Sequence, residues 1–486
     1  MSTLRFLLND RWVSAEGLPP TTTLLGFLRQ RGLTGTKEGC AEGDCGACSV
    51  VLLDAEAPGG PRYRAINACL ILLPMIQGQR VYTVEGLRDG DAYHPVQEAL
   101  CEAMGSQCGY CTPGVVMAMF EACYRRDLAE PWQIDDQMCG NLCRCTGYRP
   151  IREATEAIAG TCPKGHFADH LRQASPSPHS RAFLHQAPAS TYITPTTRGE
   201  LWAAMIANPR ARLICGGTDL SLTVTKRFEP LPALISLEGL DDLRGVTEVA
   251  GGWRIGATTL LADLEARRDD AFAPLHRMLR YFASRQIKNR ATVGGNLCNA
   301  SPIGDLAPVL IALGARAVIE GAAGERVIDL DQFFLGYRKT ALTPGEILAA
   351  VELPRLRPDA RASAYKVSKR RELDISAVAA GFRVIVVDGA VVELRAAYGG
   401  MAATPARARQ FEDALRGQPW TREAVEAAIP ALDRDFQPLD DHRGSAWFRR
   451  TVAKNLARGF FAEVADERLP NLPDRPSSTV HLEIRR

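Results

Sequence analysis

Cysteine placement constrains this chain more than any other feature. Of 14 cysteines in 486 residues, twelve lie before residue 163, and Cys215 and Cys298 follow. Cys40, Cys45 and Cys48 have the spacing C-x4-C-x2-C, and Cys69 follows after 20 intervening residues. That is the plant-type spacing of a 2Fe–2S site. Gly39, Gly43 and Gly46 interleave the first three. They let the backbone wrap a compact anion, and free N–H groups there can donate to sulfur and tune a potential. Zinc or buried free thiols are the alternatives. Zinc sites usually pair two-cysteine knuckles, whereas here three candidate ligands share one loop.

A second set is Cys108-x2-Cys111 with Cys143-x-Cys145. Thr112-Pro113 after Cys111 reads as a helix cap with a first-turn proline. Both pairs are expected at helix starts, where unpaired N–H groups favour an anionic thiolate site. Zinc stays open for this set, although a C-x-C pair closes tightly for it. Cys101, Cys123, Cys139, Cys162, Cys215 and Cys298 read as buried or incidental thiols.

Composition narrows the classes further. Charge is nearly balanced, 58 basic against 56 acidic residues, which argues against a nucleic-acid partner. No run of 18 apolar residues suggests a membrane span. Leu4 to Leu8 is too short for a secretory signal. A cytoplasmic, reducing location is therefore expected, in which disulfide staples are rare. The length suggests about three domains, and a chain of this size buries roughly 75% of its unfolded surface.

Alternation and periodicity divide the chain. Strands are expected at 3–8 and 11–14, a capped helix around Leu24 to Leu28, and strands at 49–53 and 80–84. Helices are expected at 96–104, 115–124, 133–138 and 151–158, a small bundle. Residues 163–188, rich in Pro, Ser, His and Gln, read as a linker. Short strands and helices alternate from 189, with helices expected at 200–206 and 272–282. From about 361, strands at 379–387 and 390–398 precede helices at 421–428 and 446–458. The units are thus 1–84, 85–162, a linker 163–188, 189–358 and 359–486.

In the third unit an apolar strand runs from Leu213 into Gly216-Gly217, and Val293-Gly-Gly-Asn296 is a second glycine turn. Such turns can present N–H groups to a pyrophosphate, though any strand-to-helix turn can read this way. No G-x-G-x-x-G opens a βαβ unit, so a Rossmann nicotinamide site is not indicated.

These motifs together resemble the molybdenum hydroxylases. Lys37-Glu-Gly-Cys-Ala-Glu-Gly-Asp-Cys-Gly-Ala-Cys-Ser49 is similar to their ferredoxin-like first domain. Cys108-Gly-Tyr-Cys-Thr-Pro-Gly114 with Gly140-Asn-Leu-Cys-Arg-Cys-Thr-Gly-Tyr-Arg-Pro-Ile151 resembles their helical 2Fe–2S domain. Gln286-Ile-Lys-Asn-Arg-Ala-Thr-Val-Gly-Gly-Asn-Leu297 and Ala300-Ser-Pro-Ile-Gly-Asp-Leu306 resemble their flavin domain. Phe333 to Thr340, Ser368 to Ile375 and Tyr398 to Met401 resemble the xanthine dehydrogenases within it. The resemblance implies a multidomain α+β chain: a ferredoxin-like β-grasp domain, a four-helix 2Fe–2S domain, an α+β FAD-binding domain of non-Rossmann type and a C-terminal α+β flavoprotein domain.

It also implies two 2Fe–2S clusters, on Cys40, Cys45, Cys48 and Cys69 and on Cys108, Cys111, Cys143 and Cys145. FAD contacts carry over to a pyrophosphate loop of Leu213, Ile214, Cys215, Gly216, Gly217, Thr218, Asp219 and Leu220. Further contacts are the aromatic Phe282, Thr292 with Gly295 and Asn296, Asp305, and the apolar Ile375. From sequence alone Phe282 could equally be a core aromatic, and the basic run 368–371 a solvated face. Gly217 stands where many members have Asn, Lys369 and Leu373 where many have Arg and Asp, and Phe448 where Tyr is common.

The implied activity is that of a two-subunit xanthine dehydrogenase. A molybdopterin-binding large subunit would oxidise hypoxanthine or xanthine to urate, in a heterotetramer of two small and two large subunits. This chain would pass the electrons to FAD and then NAD. The catalytic acid or base would belong to the partner. The rival readings are a component of another molybdenum hydroxylase, acting on aldehydes, aromatic heterocycles or carbon monoxide, and a non-enzymatic structural zinc protein.

Overall fold

The computed structural model describes residues 3–88, 90–174, 182–188, 190–267 and 269–465. The N-terminal unit is a mixed five-stranded sheet crossed by one helix. Its strand order is Arg11–Ser14, Arg5–Leu8, Arg80–Tyr82, Ser49–Asp54, Arg62–Asn67, with the Arg5–Leu8/Arg80–Tyr82 pair parallel. The helix Leu24–Gln30 starts where Thr23 accepts a hydrogen bond from Gly26 N at 3.1 Å. It buries Leu24, Leu25, Phe27 and Leu28 against Phe6, Val50 and Ile66 of the sheet.

Four helices follow as expected: Pro95–Glu102, Thr112–Tyr124, Pro131–Met138 and Arg149–Ile158. Thr112–Tyr124 is buried almost all round. It lies between its sister helices and the strands Ser49–Asp54 and Arg62–Asn67. A helix enclosed in this way is apolar on every face rather than along one stripe.

The segment 163–188 departs from the expected linker. It contains the helix His166–Gln173 and the strand Phe183–Ala187, while 175–181 lie outside the described residues. The helix docks through Phe167, which is buried edge-on to Tyr63, Tyr82 and Phe120. Tyr63 donates its hydroxyl to Phe167 O at 2.9 Å. Phe167 and Leu171 among polar residues are a weak periodic signal, and His170 adds a contact with the Tyr82 hydroxyl at 2.7 Å.

The third unit carries two sheets. One orders Phe183–Ala187, Ser190–Thr194, Ala233–Ser236, Arg212–Ile214, its last three strands parallel. The other orders Val246–Val249, Gly252–Gly256, Ile347–Pro354, Arg316–Gly321, Gly324–Asp329, all antiparallel. The helix expected over 272–282 is shorter, Ala273–Leu279, entered by a 3₁₀ turn at Asp270–Phe272. The last unit packs the sheet Ala360–Val367, Val378–Val387, Ala390–Gly399, Ala406–Arg407 against helices that include Arg422–Ala428 and Ala446–Val464. The whole is a multidomain α+β chain with open sheets. No helix among the described residues is long and apolar enough to cross a membrane.

Candidate cofactor sites

The loop from Cys40 to Cys48 turns through left-handed backbone at Ala41, Gly43 and Gly46. That path points the N–H groups of Glu42, Asp44 and Cys45 at Cys40 Sγ, at 3.4, 3.3 and 3.3 Å. The hydrogen bond from Cys45, and then these N–H groups, pull the Cys40 thiol down to about 5 against the effect of burial. Cys48 and Cys69 lie buried with sulfurs 3.3 Å apart, and Asn67 Nδ2 points at Cys48 Sγ from 3.8 Å. The four sulfurs therefore come as two pairs, Cys40 with Cys45 and Cys48 with Cys69.

The second set pairs likewise. Cys108 interacts side chain to side chain with Cys145, and Cys111 with Cys143. Cys108 and Cys145 are exposed, whereas Cys143 is buried. The local frame differs from expectation. Cys111 itself caps Thr112–Tyr124, so Thr112 is inside the helix. Cys143 and Cys145 do not open a helix directly. They precede Arg149–Ile158 by a turn closed at left-handed Tyr148, whose hydroxyl accepts from Cys143 N at 3.0 Å.

This donor chemistry fits iron–sulfur clusters. A 2Fe–2S cluster takes four thiolates, two on each iron, and is tuned by N–H donors to sulfur. Both sets offer two close thiol pairs, and the first adds three N–H donors.

The two loops meet backbone to backbone. A Cβ added at Gly46 would run into Gly140 O, and one at Gly114 would run into Gly46 O. Leu142 N donates to Cys45 O at 3.0 Å, and Asn141 Nδ2 to Gly46 O at 3.1 Å. The loops that carry the exposed thiols thus pack directly on the loop that carries Cys45 and Cys48.

Between Leu213 and Leu348 lies a cavity of about 370 Å³, within the usual range for ligand sites. All eight residues Leu213 to Leu220 line it, with Phe282, Thr292, Gly295 and Asn296. Gly217 adopts φ +76°, and a Cβ there would lie 3.2 Å from Leu70 O. Ser221 Oγ donates to the same carbonyl at 2.7 Å. The glycine turn that sequence alone left ambiguous is therefore a cavity wall packed against Leu70, the residue after Cys69. Its close backbone approach and apolar surroundings suit a dinucleotide cofactor.

Two expected contacts stand apart from this cavity. Asp305 is buried, paired with Lys366 Nζ at 2.8 Å and accepting from Ser376 Oγ at 2.5 Å. Ile375 is half exposed. Sequence reasoning did not single out as contacts five apolar lining residues, Leu237, Ala257, Ile287, Ala291 and Leu348, although Ile287 and Ala291 lie in a motif that resembles the flavin domain. They carry no polar or glycine signature and reach the cavity only through tertiary packing.

Four family models match the chain in order. They are a 2Fe–2S iron–sulfur cluster binding domain over 6–73 and a 2Fe–2S binding domain over 83–156. After these come the FAD binding domain in molybdopterin dehydrogenase over 187–356 and the CO dehydrogenase flavoprotein C-terminal domain over 363–464. A xanthine dehydrogenase of Emericella nidulans is 34% identical, covering 98% of this chain and 39% of the relative. A xanthine dehydrogenase/oxidase of Rattus norvegicus is 32% identical, covering 95% and 39%. The chain thus spans about two fifths of the length of these curated relatives. Among solved structures, a carbon monoxide dehydrogenase from Hydrogenophaga pseudoflava, lacking the Mo-pyranopterin moiety of its molybdenum cofactor, superposes with TM-score 0.53. It is 28% identical and covers 57% of this chain and 96% of that one. With two kinds of 2Fe–2S domain followed by both flavoprotein domains, the chain belongs to the molybdenum hydroxylase family, whose iron–sulfur and FAD-binding portion it carries.

Proposed function

We propose that this chain is the electron-transfer subunit of a xanthine dehydrogenase, organised as units 1–84, 85–162, 189–358 and 359–486. It carries two 2Fe–2S clusters and FAD. It works with a molybdopterin-binding large subunit, as a heterotetramer in the cytoplasm, and NAD is the acceptor. The observation that supports this most is the order of the sites. Exposed Cys108 and Cys145 lead through the Gly46–Gly140 contact to buried Cys48 and Cys69, and from Leu70 to the cavity wall at Gly217.

Bound clusters supply one-electron steps, and a bound flavin couples these to two-electron chemistry. The residues hold, tune and insulate. Cys108, Cys111, Cys143 and Cys145 hold the entry cluster where a partner can reach it. Cys40, Cys45, Cys48 and Cys69 hold the second, with the N–H groups of Glu42, Asp44 and Cys45 stabilising thiolate charge at Cys40. Leu213 to Leu220, Phe282, Thr292, Gly295 and Asn296 line the cavity that would hold the flavin.

The xanthine assignment rests on the relatives' names and on the motif Gly336-Tyr-Arg-Lys-Thr340. The test uses the full chain with its large subunit. Xanthine should drive NAD reduction, and the reduced protein should show two distinct 2Fe–2S signals by electron paramagnetic resonance. Cys108→Ser should remove or alter one signal, and Cys45→Ser the other. Turnover of an aldehyde or heterocycle in place of xanthine would move the chain to another branch of the family. A colourless, zinc-loaded protein would defeat the cluster reading.

A further inference from the structure

The motif Gln286-Ile-Lys-Asn289 is not explained by cofactor contact alone. It belongs to the short helix Arg285–Lys288 and the residue after it, and each of the five side chains from Arg285 to Asn289 reaches another part of the molecule. Arg285 donates to Glu121 Oε1 of the helical unit at 3.0 Å. Gln286 Nε2 donates to Asn141 Oδ1 at 2.7 Å, and Ser49 Oγ lies 3.4 Å away, so it ties the two thiolate loops together. Ile287 lines the cavity and meets Gly43 of the first loop, where an added Cβ would lie 2.9 Å from Ile287 Cδ1. Lys288, wholly buried, donates to Asp136 at 2.9 Å, Glu265 at 2.7 Å and Leu279 O at 3.3 Å. Asn289 Nδ2 donates to Ala65 O of the first sheet at 2.9 Å and to Glu121 at 3.1 Å.

Contacts between domains of one chain ordinarily permit relative motion. A buried ion pair adds little stability over an apolar contact, and its best-attested use is to fix register. Four of five neighbouring residues joining three units through buried polar bonds, with Ile287 packed between them, therefore hold geometry. We propose that this turn is a positioning element that sets the gaps between the two clusters and between the first cluster and the flavin. Gln286 governs the first gap, Ile287 the second, and Lys288 with Arg285 anchors the turn. The inference rests on the cofactor assignment above.

The experiment uses the full chain carrying iron and flavin, with variants Gln286→Ala, Ile287→Val, Ile287→Ala, Lys288→Met and Lys288→Arg. Iron content, flavin content and the separate spectra of each cofactor come first. If the unmodified chain binds no iron or flavin, the cofactor assignment fails, and the positioning role falls with it. In protein with intact spectra, flash reduction of the clusters is followed by the rate of flavin reduction. Ile287→Ala should slow that transfer by about a few-fold, because the gap between donor and acceptor sets the rate. Ile287→Val should slow it less. Gln286→Ala should weaken magnetic coupling between the clusters and raise amide exchange at Glu42, Asp44 and Cys45, with or without iron. Lys288→Arg should restore rates that Lys288→Met loses, and if Lys288→Met does not fold, the Ile287 and Gln286 variants decide. Unmodified transfer rates, coupling and exchange in folded variants, whatever their melting temperatures, would overturn the proposal.

Discussion

At the scale of residues, charge is buried here in pairs and triads. Asp54 sits between Arg64 Nε at 2.7 Å and Arg244 Nη2 at 3.0 Å. Burial alone would raise its carboxyl, but the two guanidinium groups outweigh that and hold it down to about 2. A carboxyl depressed on folding contributes stability above its unfolded value, and that contribution is lost as pH falls through the folded value. Asp54 should therefore contribute roughly 2 kcal/mol at neutral pH, lost between about pH 4 and pH 2. Asp54→Asn should flatten that part of the acid-unfolding curve; an unchanged curve would assign the acid sensitivity elsewhere. Lys288→Met would leave Asp136 and Glu265 without their shared cation, and should cost about 3–5 kcal/mol by denaturant unfolding. Neither network was legible in sequence. Asp54 and Arg64 are ten residues apart, but Lys288 and Asp136 are separated by 152, and no spacing rule connects such partners.

At the scale of elements, local signals located most helices and strands, while their surroundings decided what a substitution would do. Thr23, Thr197 and Ser445 each cap a helix by accepting from backbone N–H, and short polar residues before apolar periodicity mark such starts in any chain. Gly114 shows the opposite case. Inside a helix, Gly→Ala ordinarily gains about 1 kcal/mol. Here the new Cβ would run into Gly46 O, so Gly114→Ala should lower the melting temperature and increase amide exchange in both thiolate loops. A stabilised Gly114→Ala protein would mean the two loops are not in contact. The helix His166–Gln173 was hidden because only Phe167 and Leu171 dock its apolar side, helped by a contact of His170 with the Tyr82 hydroxyl that no spacing rule shows. Phe167→Ala should cost about 3–5 kcal/mol, read by thermal unfolding, and free the helix from Tyr63 and Phe120.

At the scale of the whole molecule, the cofactors are expected to be part of the fold. A ligand that binds only the native state at 100 times its dissociation constant adds about 2.7 kcal/mol. Adding FAD to flavin-stripped protein should raise the melting temperature in a concentration-dependent way, and Gly217→Val should abolish the rise, because its side chain would meet Leu70 and Met75. A melting temperature indifferent to FAD would count against the cavity between Leu213 and Leu348 as its site.

The sequence by itself determined which residues are candidate ligands and contacts. Thiol spacing, glycine turns and capped helices are local patterns, and local patterns survive reading in one dimension. It also suggested where units begin and end, except where the helix His166–Gln173 docks through a few side chains. Tertiary structure alone decided how the sites relate: the backbone contact of Gly46 with Gly140, the approach of Gly217 to Leu70, and the turn 285–289 that reaches three units. Those relations join residues far apart along the chain. Burial, which makes an unpaired charge or an extra methyl group costly, exists only once the chain has folded.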